Sequence, residues 1–208
     1  NWNPDGPSKW PQAPSQDFAT RLSYIEEDRL GDVKYPWELQ RHQYFVTLGK
    51  AYSLTGDEKY ARECTDLLCH WVSSNPYGFG LAWYGSLELG IRIISWLHAF
   101  AFLRRSAYFR ENGILPFFRG LYMMARRLNA FLTTDWLVPT NHLIGETAGL
   151  FAFAAAFPEF RESGHWRRKA LRIFTREVLV QTYPDGVKKE QATGYHRFVL
   201  DFGLYVWR

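Results

Sequence analysis

The chain has only two cysteines in 208 residues, too few for a disulfide scaffold. Cys64 and Cys69 lie five positions apart, which on one helix turns them about 140° from each other, poor geometry for a bridge. Both are expected to stay reduced. No apolar run reaches the roughly 18 residues of a membrane span. No Met opens the chain and no signal-peptide pattern follows Asn1, so it reads as processed or excised. Nothing convincing alternates with period two, which excludes a strand-based fold. A hydrophobic share of 47% with 22% charged residues excludes intrinsic disorder and collagen-like repeats. One domain of this length buries roughly 70% of its unfolded surface and needs no metal or disulfide staple.

Aromatic residues are plentiful: 9 Trp, 12 Tyr and 16 Phe, 18% of the chain. Sugar- or base-stacking platforms would explain them, but a core packed with large rings is the simpler account. The net charge of +4 is unevenly spread. Residues 1–103 sum to −3, residues 104–176 to +7, and residues 177–208 to zero. A basic middle third suits an anionic partner such as nucleic acid, an acidic lipid surface or an acidic polysaccharide. In its densest run, however, Arg167, Arg168, Lys169, Arg172 and Arg176 alternate with Trp166, Ala170, Leu171, Ile173 and Phe174. That is the pattern of a solvated helix face. Dispersed basic residues and the lack of a reader motif argue against nucleic acid.

Pro, Gly, Asp and Ser fill residues 1–36, which read as an extended lead-in. From Trp37 the pattern is helical to the last residue. Helices are expected at Trp37–Leu54 (closed by Thr55-Gly56-Asp57), 58–73, 86–105, 114–133, from Thr140–Asn141 to Pro158, 164–182, and from Glu190 onward. Seven helices joined by short and longer links, with apolar residues spread widely round each, fit successive antiparallel hairpins with two buried faces. The expected fold is all-α, an incomplete α/α toroid over residues 37–208, with an irregular bundle as the alternative. The last helical pattern runs through Gly203 to Arg208 with no Pro or cap to close it, and its apolar face is expected to need further chain as a partner.

Two segments break the helical background. Pro139-Thr140-Asn141-His142-Leu143-Ile144-Gly145-Glu146 opens one helix. Lys189-Glu190-Gln191-Ala192-Thr193-Gly194-Tyr195-His196-Arg197-Phe198 follows the Pro184-Asp185-Gly186 turn. Each sets titratable groups at a helix start, where free N–H groups and the helix dipole favour an anion. Two such starts would converge on one carboxylated ligand. Taken singly, Asn141 reads equally as an N-cap, the His as a hydrogen-bonded structural residue, and Tyr195 as a half-buried ring.

Together these segments resemble the heparinase II/III-like polysaccharide lyases, relatives of the alginate and oligo-alginate lyases. The resemblance extends to Trp37-Glu38-Leu39-Gln40-Arg41-His42-Gln43, to Thr55-Gly56-Asp57-Glu58-Lys59-Tyr60 and to the helix with Trp83, Glu88 and Arg92. The 54-residue separation of Asn141 and Tyr195 is similar to the family's. What the resemblance implies is β-elimination next to a uronic acid. Asn141 matches the carboxylate-neutralising Asn, His142 the adjacent assisting His, and Tyr195 the catalytic Tyr. Glu38, Arg41, His42, Trp83, Arg92, Glu146, Gln191 and His196 would line the groove. Arg41 and Arg92 suit a carboxylate or sulfate, and Trp83 suits a sugar ring. Alternatively, Glu38, Glu88, Arg41 and Arg92 form an ion-pair lattice between helices.

The family's toroid is followed by a β-sandwich that adds catalytic groups, and nothing here resembles it. The expected partners are therefore an acidic polysaccharide and a C-terminal β-sandwich of the same chain, with no nucleic acid and no membrane span. No cofactor or metal is expected, since His142 and Glu146 at i, i+4 are two ligands without a third. A periplasmic or secreted location follows from the family's polymer substrates. Two other readings remain: a toroid glycoside hydrolase using Glu146 and Glu190 as its carboxylate pair, and a non-catalytic glycan-binding or exopolysaccharide-assembly module.

Overall fold

The computed structural model describes residues 34–134 and 140–207. The expected lead-in over 1–36 lies outside them except for its last three residues, which are already helical. Eight α-helices follow among the described residues: α1 (Lys34–Gln40), α2 (Gln43–Thr55), α3 (Glu58–Ser74), α4 (Ser86–Leu103), α5 (Ile114–Ala130), α6 (Asn141–Ala156), α7 (Ser163–Val180) and α8 (Thr193–Trp207). A 3₁₀ turn, Leu81–Trp83, precedes α4, and a π turn, Phe109–Gly113, runs into α5. No strand occurs among the described residues; Thr182 and Lys188 form one isolated bridge.

The helices lie in two rows. Helices α2, α4, α6 and α8 touch in succession, while α3 and α5 pack behind them and α7 packs on α6. This is the expected all-α, incomplete α/α toroid. Turn chemistry sets the hairpins as anticipated. Gly56 closes α2 in the left-handed region (φ 70°), its N–H bonding Tyr52 O at 2.8 Å, and Asp57 caps α3 by accepting from Lys59 N at 3.0 Å.

One expected helix is two. The run from Trp37 breaks at His42, which takes φ 55° and lies wholly buried. Its imidazole Nδ1 accepts from Trp96 Nε1 at 2.9 Å and stacks on Phe45 at 4.6 Å. Long-range packing thus overrides a local helical pattern. The final helix starts at Thr193 rather than Glu190, because Gln191 is left-handed at φ 53°.

Among the described residues most of the large rings are core. Trp71, Trp96, Phe45, Phe109, Phe117 and Phe153 are fully buried and interlock edge-on and stacked. The basic run on α7 is the expected solvated face: Arg167, Arg168, Arg172 and Arg176 point outward, while Trp166, Ala170, Ile173 and Phe174 are buried. Both described cysteines are free. Cys64 is buried, and Cys69 donates its S–H to Asn112 O at 3.6 Å. The usual helical donor to that carbonyl would be residue 116, a proline without an N–H.

Helices α4 and α6 are buried almost all round. By length and composition α4 (18 residues, mean hydropathy 1.3) would be apolar enough to cross a membrane, yet 61% of it is buried inside the protein and it carries Glu88 and Arg92. Its closest neighbour is α6, met at Gly90. A Cβ on Gly149 would lie 2.4 Å from Gly90 Cα, and one on Gly90 would lie 2.7 Å from Gly145 O. Gly145 in turn leaves room for Leu87 and for Phe202 of α8.

Gly149→Ala is expected to lower stability by about 1–3 kcal/mol, because the two backbones must separate. Gly203→Ala, in open space on α8, is expected to raise it by about 0.5–1 kcal/mol. Chemical denaturation of the two variants checks both signs.

Candidate functional site

Thr140 caps α6, its hydroxyl accepting from His142 N at 3.3 Å. The next residue, Asn141, is buried and donates its side-chain Nδ2–H to Glu190 Oε1 at 2.7 Å; its backbone N–H lies 3.4 Å from the same oxygen. A carboxylate therefore sits at the positive end of α6, as helix electrostatics favour. Glu190 arrives there because residues 181–191 fold back tightly. Tyr183 N bonds Val187 O at 2.8 Å, Lys189 N bonds Gln181 O at 2.9 Å, and Gly186 takes φ 90° at the tip.

His142 stands beside Asn141 and is partly buried. Burial holds its imidazole below the ordinary histidine range; Glu88 and Glu190 pull it upward and Arg41 adds to the depression. Burial thus favours the uncharged ring. Arg41 meets Glu88 with two hydrogen bonds, Nε–Oε2 at 2.7 Å and Nη2–Oε1 at 3.0 Å, and lies 3.7 Å from exposed Glu38. The structure thus gathers Arg41, Glu88, Asn141, His142 and Glu190. Tyr195 is 50% exposed on α8, between the Glu190 contact with Asn141 and the Phe202 contact with Gly145. Gln191 and His196 are exposed on the same approach to α8.

Three residues expected along the groove belong to the interior instead. His42 is sealed among Phe45, Trp71 and Trp96. Arg92 is fully buried, donating to Gln40 O and, at 3.0 Å, to Ala82 O, with its guanidinium over the Trp71 ring. Burial lowers its pKa to about 10, which leaves it a cation that ties the chain together. Trp83 is 2% exposed, its Nε1–H bonded to Asn75 O at 3.1 Å and its ring edge-on to Tyr77, so no ring face is left for a sugar. Of the alternative lattice, the Arg41 pairs with Glu88 and Glu38 form, while Arg92 bonds backbone carbonyls.

Glu146 also differs from its expected place. It is 0% exposed and accepts from Thr133 N at 2.8 Å and Thr133 Oγ1 at 2.9 Å, fastening the segment that leads towards α6. Burial raises its pKa to about 7, against the two Thr133 bonds that lower it. With Glu146 sealed and Glu190 engaged by Asn141, the two carboxylates do not stand as a pair facing a sugar. No three His, Cys, Asp or Glu side chains converge as metal ligands among the described residues.

Sequence reading missed Lys188, which is 2% exposed and bonds Gln181 Oε1. A Lys-Lys-Glu run normally reads as solvated, and its only signal was its position beside the second polar segment.

A two-row helical toroid with an amide-held carboxylate at one helix start is the class that fold and site define. The family described as Heparinase II/III N-terminus matches residues 8–208, and the chain belongs to it. It is 29% identical over 186 residues to a heparin-sulfate lyase of Bacteroides stercoris, covering 79% of this chain and 27% of that protein. A heparin-sulfate lyase of Bacteroides thetaiotaomicron is 26% identical over 206 residues, covering 97% and 29%. The solved heparan sulfate lyase of Pedobacter heparinus superposes with a TM-score of 0.72 at 27% identity, over 85% of this chain and 28% of that one. The chain thus spans less than a third of the relatives it matches.

The raised pKa of Glu146 carries a sign. Between the unfolded value near 4.5 and about 7 the folded chain binds the extra proton, so stability falls as pH rises through that window. Ionisation there costs about 2–4 kcal/mol. Glu146→Gln, whose oxygen and amide still satisfy Thr133, is expected to remove this slope and to match or exceed the parent at pH 8. Urea unfolding at pH 5 and pH 8 tests it.

Proposed function

We propose that this chain is the helical part of a polysaccharide lyase that cleaves uronic-acid-containing glycans of the heparan sulfate or alginate type by β-elimination. The observation that carries the reading is the 2.7 Å bond from the Asn141 amide to a carboxylate at the start of α6. This position already holds the functional group that a uronate presents.

Removing the C5 proton of a uronate pushes negative charge onto its carboxylate. A fixed donor facing that charge is worth about 3–4 kcal/mol. Asn141 supplies an uncharged donor with no proton to lose. His142, neutral because burial dominates its surroundings, serves as a second donor or as the base for one C5 configuration. Tyr195 lies exposed on α8; in this reading its hydroxyl hands a proton to the departing O4 where His142 takes the C5 proton, or, starting as phenolate, it takes the C5 proton itself and passes it to O4 as the C4–O4 bond breaks. The Arg41–Glu88 pair keeps a cation and an anion near His142. In this proposal a β-sandwich following the helical part supplies the opposite wall of the cleft. The whole enzyme acts in the periplasm or outside the cell, where such polymers occur.

The hydrolase reading has less support, because Glu146 is sealed against Thr133. A glycan-binding module without chemistry remains the outcome to beat in assay. In the full-length protein, Asn141→Ala is expected to cut elimination about 10²–10³-fold and Tyr195→Phe about 10²–10⁴-fold, while the isolated 208-residue chain shows little or none. The readout is the ultraviolet absorbance of unsaturated uronate released from heparan sulfate and alginate. Unimpaired elimination in both variants would overturn the assignment, and glycan binding unaltered by either variant with no double bond formed by the parent would favour the non-catalytic module.

A further inference from the structure

We propose that Lys188 and Glu190 are positioning residues that hold the Asn141 amide in one orientation, so that one of its N–H groups is committed internally and the other is left for a ligand carboxylate. The proposal rests on the reading of Asn141 as the carboxylate donor. It goes beyond that reading by assigning work to a buried lysine that the chemistry does not use.

The contacts form one continuous line. Arg176 donates to Glu177 Oε1 from Nε at 2.9 Å and from Nη2 at 2.6 Å. Gln181 Nε2 donates to Glu177 Oε2 at 3.0 Å and to Thr140 O at 3.1 Å. Gln181 Oε1 accepts from Lys188 Nζ. Lys188 Nζ then stands 3.6 Å from Glu190 Oε2, and Glu190 Oε1 receives Asn141 Nδ2 at 2.7 Å. The line grips the start of α6 twice, at the Thr140 carbonyl and at the Asn141 amide.

Chemistry fixes each orientation. Gln181 has two acceptors on its nitrogen side and an ammonium on its oxygen side, so its amide fits one way round. Glu190 Oε2 is buried without a hydrogen bond, and the charge answering it is Lys188. Burial depresses the Lys188 pKa while Glu190 and Glu177 oppose that fall. Each carboxylate of the line has a cation: exposed Arg176 meets buried Glu177, and buried Lys188 faces Glu190. With Oε1 of Glu190 on one Asn141 proton, the amide keeps a single rotamer. Misplacing such a donor forfeits much of what it supplies, since a 1 Å displacement lowers rate by about 10²-fold.

The test uses Lys188→Met, Glu190→Gln and the double variant. A glutamine at 190 offers Lys188 and Asn141 one neutral oxygen and an NH2 in place of a carboxylate, which weakens the charge-assisted bond to Asn141 and removes the charge that answers Lys188. In the 208-residue chain, NMR exchange of the Asn141 side-chain protons is expected to quicken about tenfold or more in each single variant. The double variant should go no further, because both act through one contact. In the full-length protein, kcat on heparan sulfate or alginate is expected to fall about 10- to 100-fold with KM little changed, again without additivity. Should Lys188→Met fail to fold, Glu190→Gln alone carries both measurements. Unchanged Asn141 exchange in the single variants, or strictly additive losses, would overturn the positioning role. A parent enzyme that eliminates nothing would instead remove the lyase reading, while the amide exchange still decides whether Lys188 orders Asn141.

Discussion

The approach of α4 to α6 across Gly90, Gly145 and Gly149 is the constraint on which the rest of the structure depends. With no side chain between the backbones at these glycines, dispersion contacts run along the seam and both helices bury most of their surface. Every polar group near that seam must then find a partner elsewhere. Glu88 draws Arg41 from the α1–α2 junction, Arg92 reaches the carbonyls of Gln40 and Ala82, and Glu146 takes both donors of Thr133. The seam therefore organises loops as well as helices. The break at His42 follows from the same pull, because Arg41 and Gln40 are held towards α4 while the His42 ring enters the aromatic core.

Electrostatics at the site follows from burial more than from net charge. His142 has two carboxylates and one guanidinium acting on it, a balance that by charge alone would raise its proton affinity. Desolvation wins, and the ring stays neutral. Glu146 shows the same ordering of effects, since two hydrogen bonds do not offset its complete removal from water. A chain with a surplus of positive charge thus builds its polar centre from nearly balanced pairs. Its arginine-rich stretch on α7 stays outside, apart from Arg176, which leans onto Glu177.

Much of the fold was legible because its determinants are local. Thr55-Gly56-Asp57 reads as a stop and a cap, and does both; the period of α3 gives its buried face of Ala61, Cys64, Leu68 and Trp71. Asn141 at a helix start was equally plain. What was not legible depends on neighbours distant in sequence. Trp83 and Arg92 look like ligand-binding residues as types, and only the packing of α1, α4 and the 81–83 turn encloses them. The glycines at 145 and 149, four apart in an alanine-rich helix, did carry a signal of close helix contact, though nothing in the chain marks Gly90 as their counterpart. Lys188 offered least, since a buried lysine is visible only once the 181–191 turn is folded.

Helix α6 also shows why site and stability cannot be separated here. Its body is core: Leu143, Ile144, Ala148, Leu150 and Phe153 are buried, and its first turn is buried as well at Asn141. A helix start in that setting has four N–H groups to satisfy and little water to satisfy them. Two of those N–H groups are met by Thr140 from within and Glu190 from the turn before α8, while Gln181 from the end of α7 donates to the Thr140 carbonyl beside them. Each of these partners answers a folding requirement first. Yet satisfying that requirement with a carboxylate, rather than with water, is what leaves an oriented amide beside a neutral imidazole at the edge of the core. An anionic ligand meeting this edge would find donors whose reorganisation had been completed during folding, which is the condition under which electrostatic stabilisation is strongest.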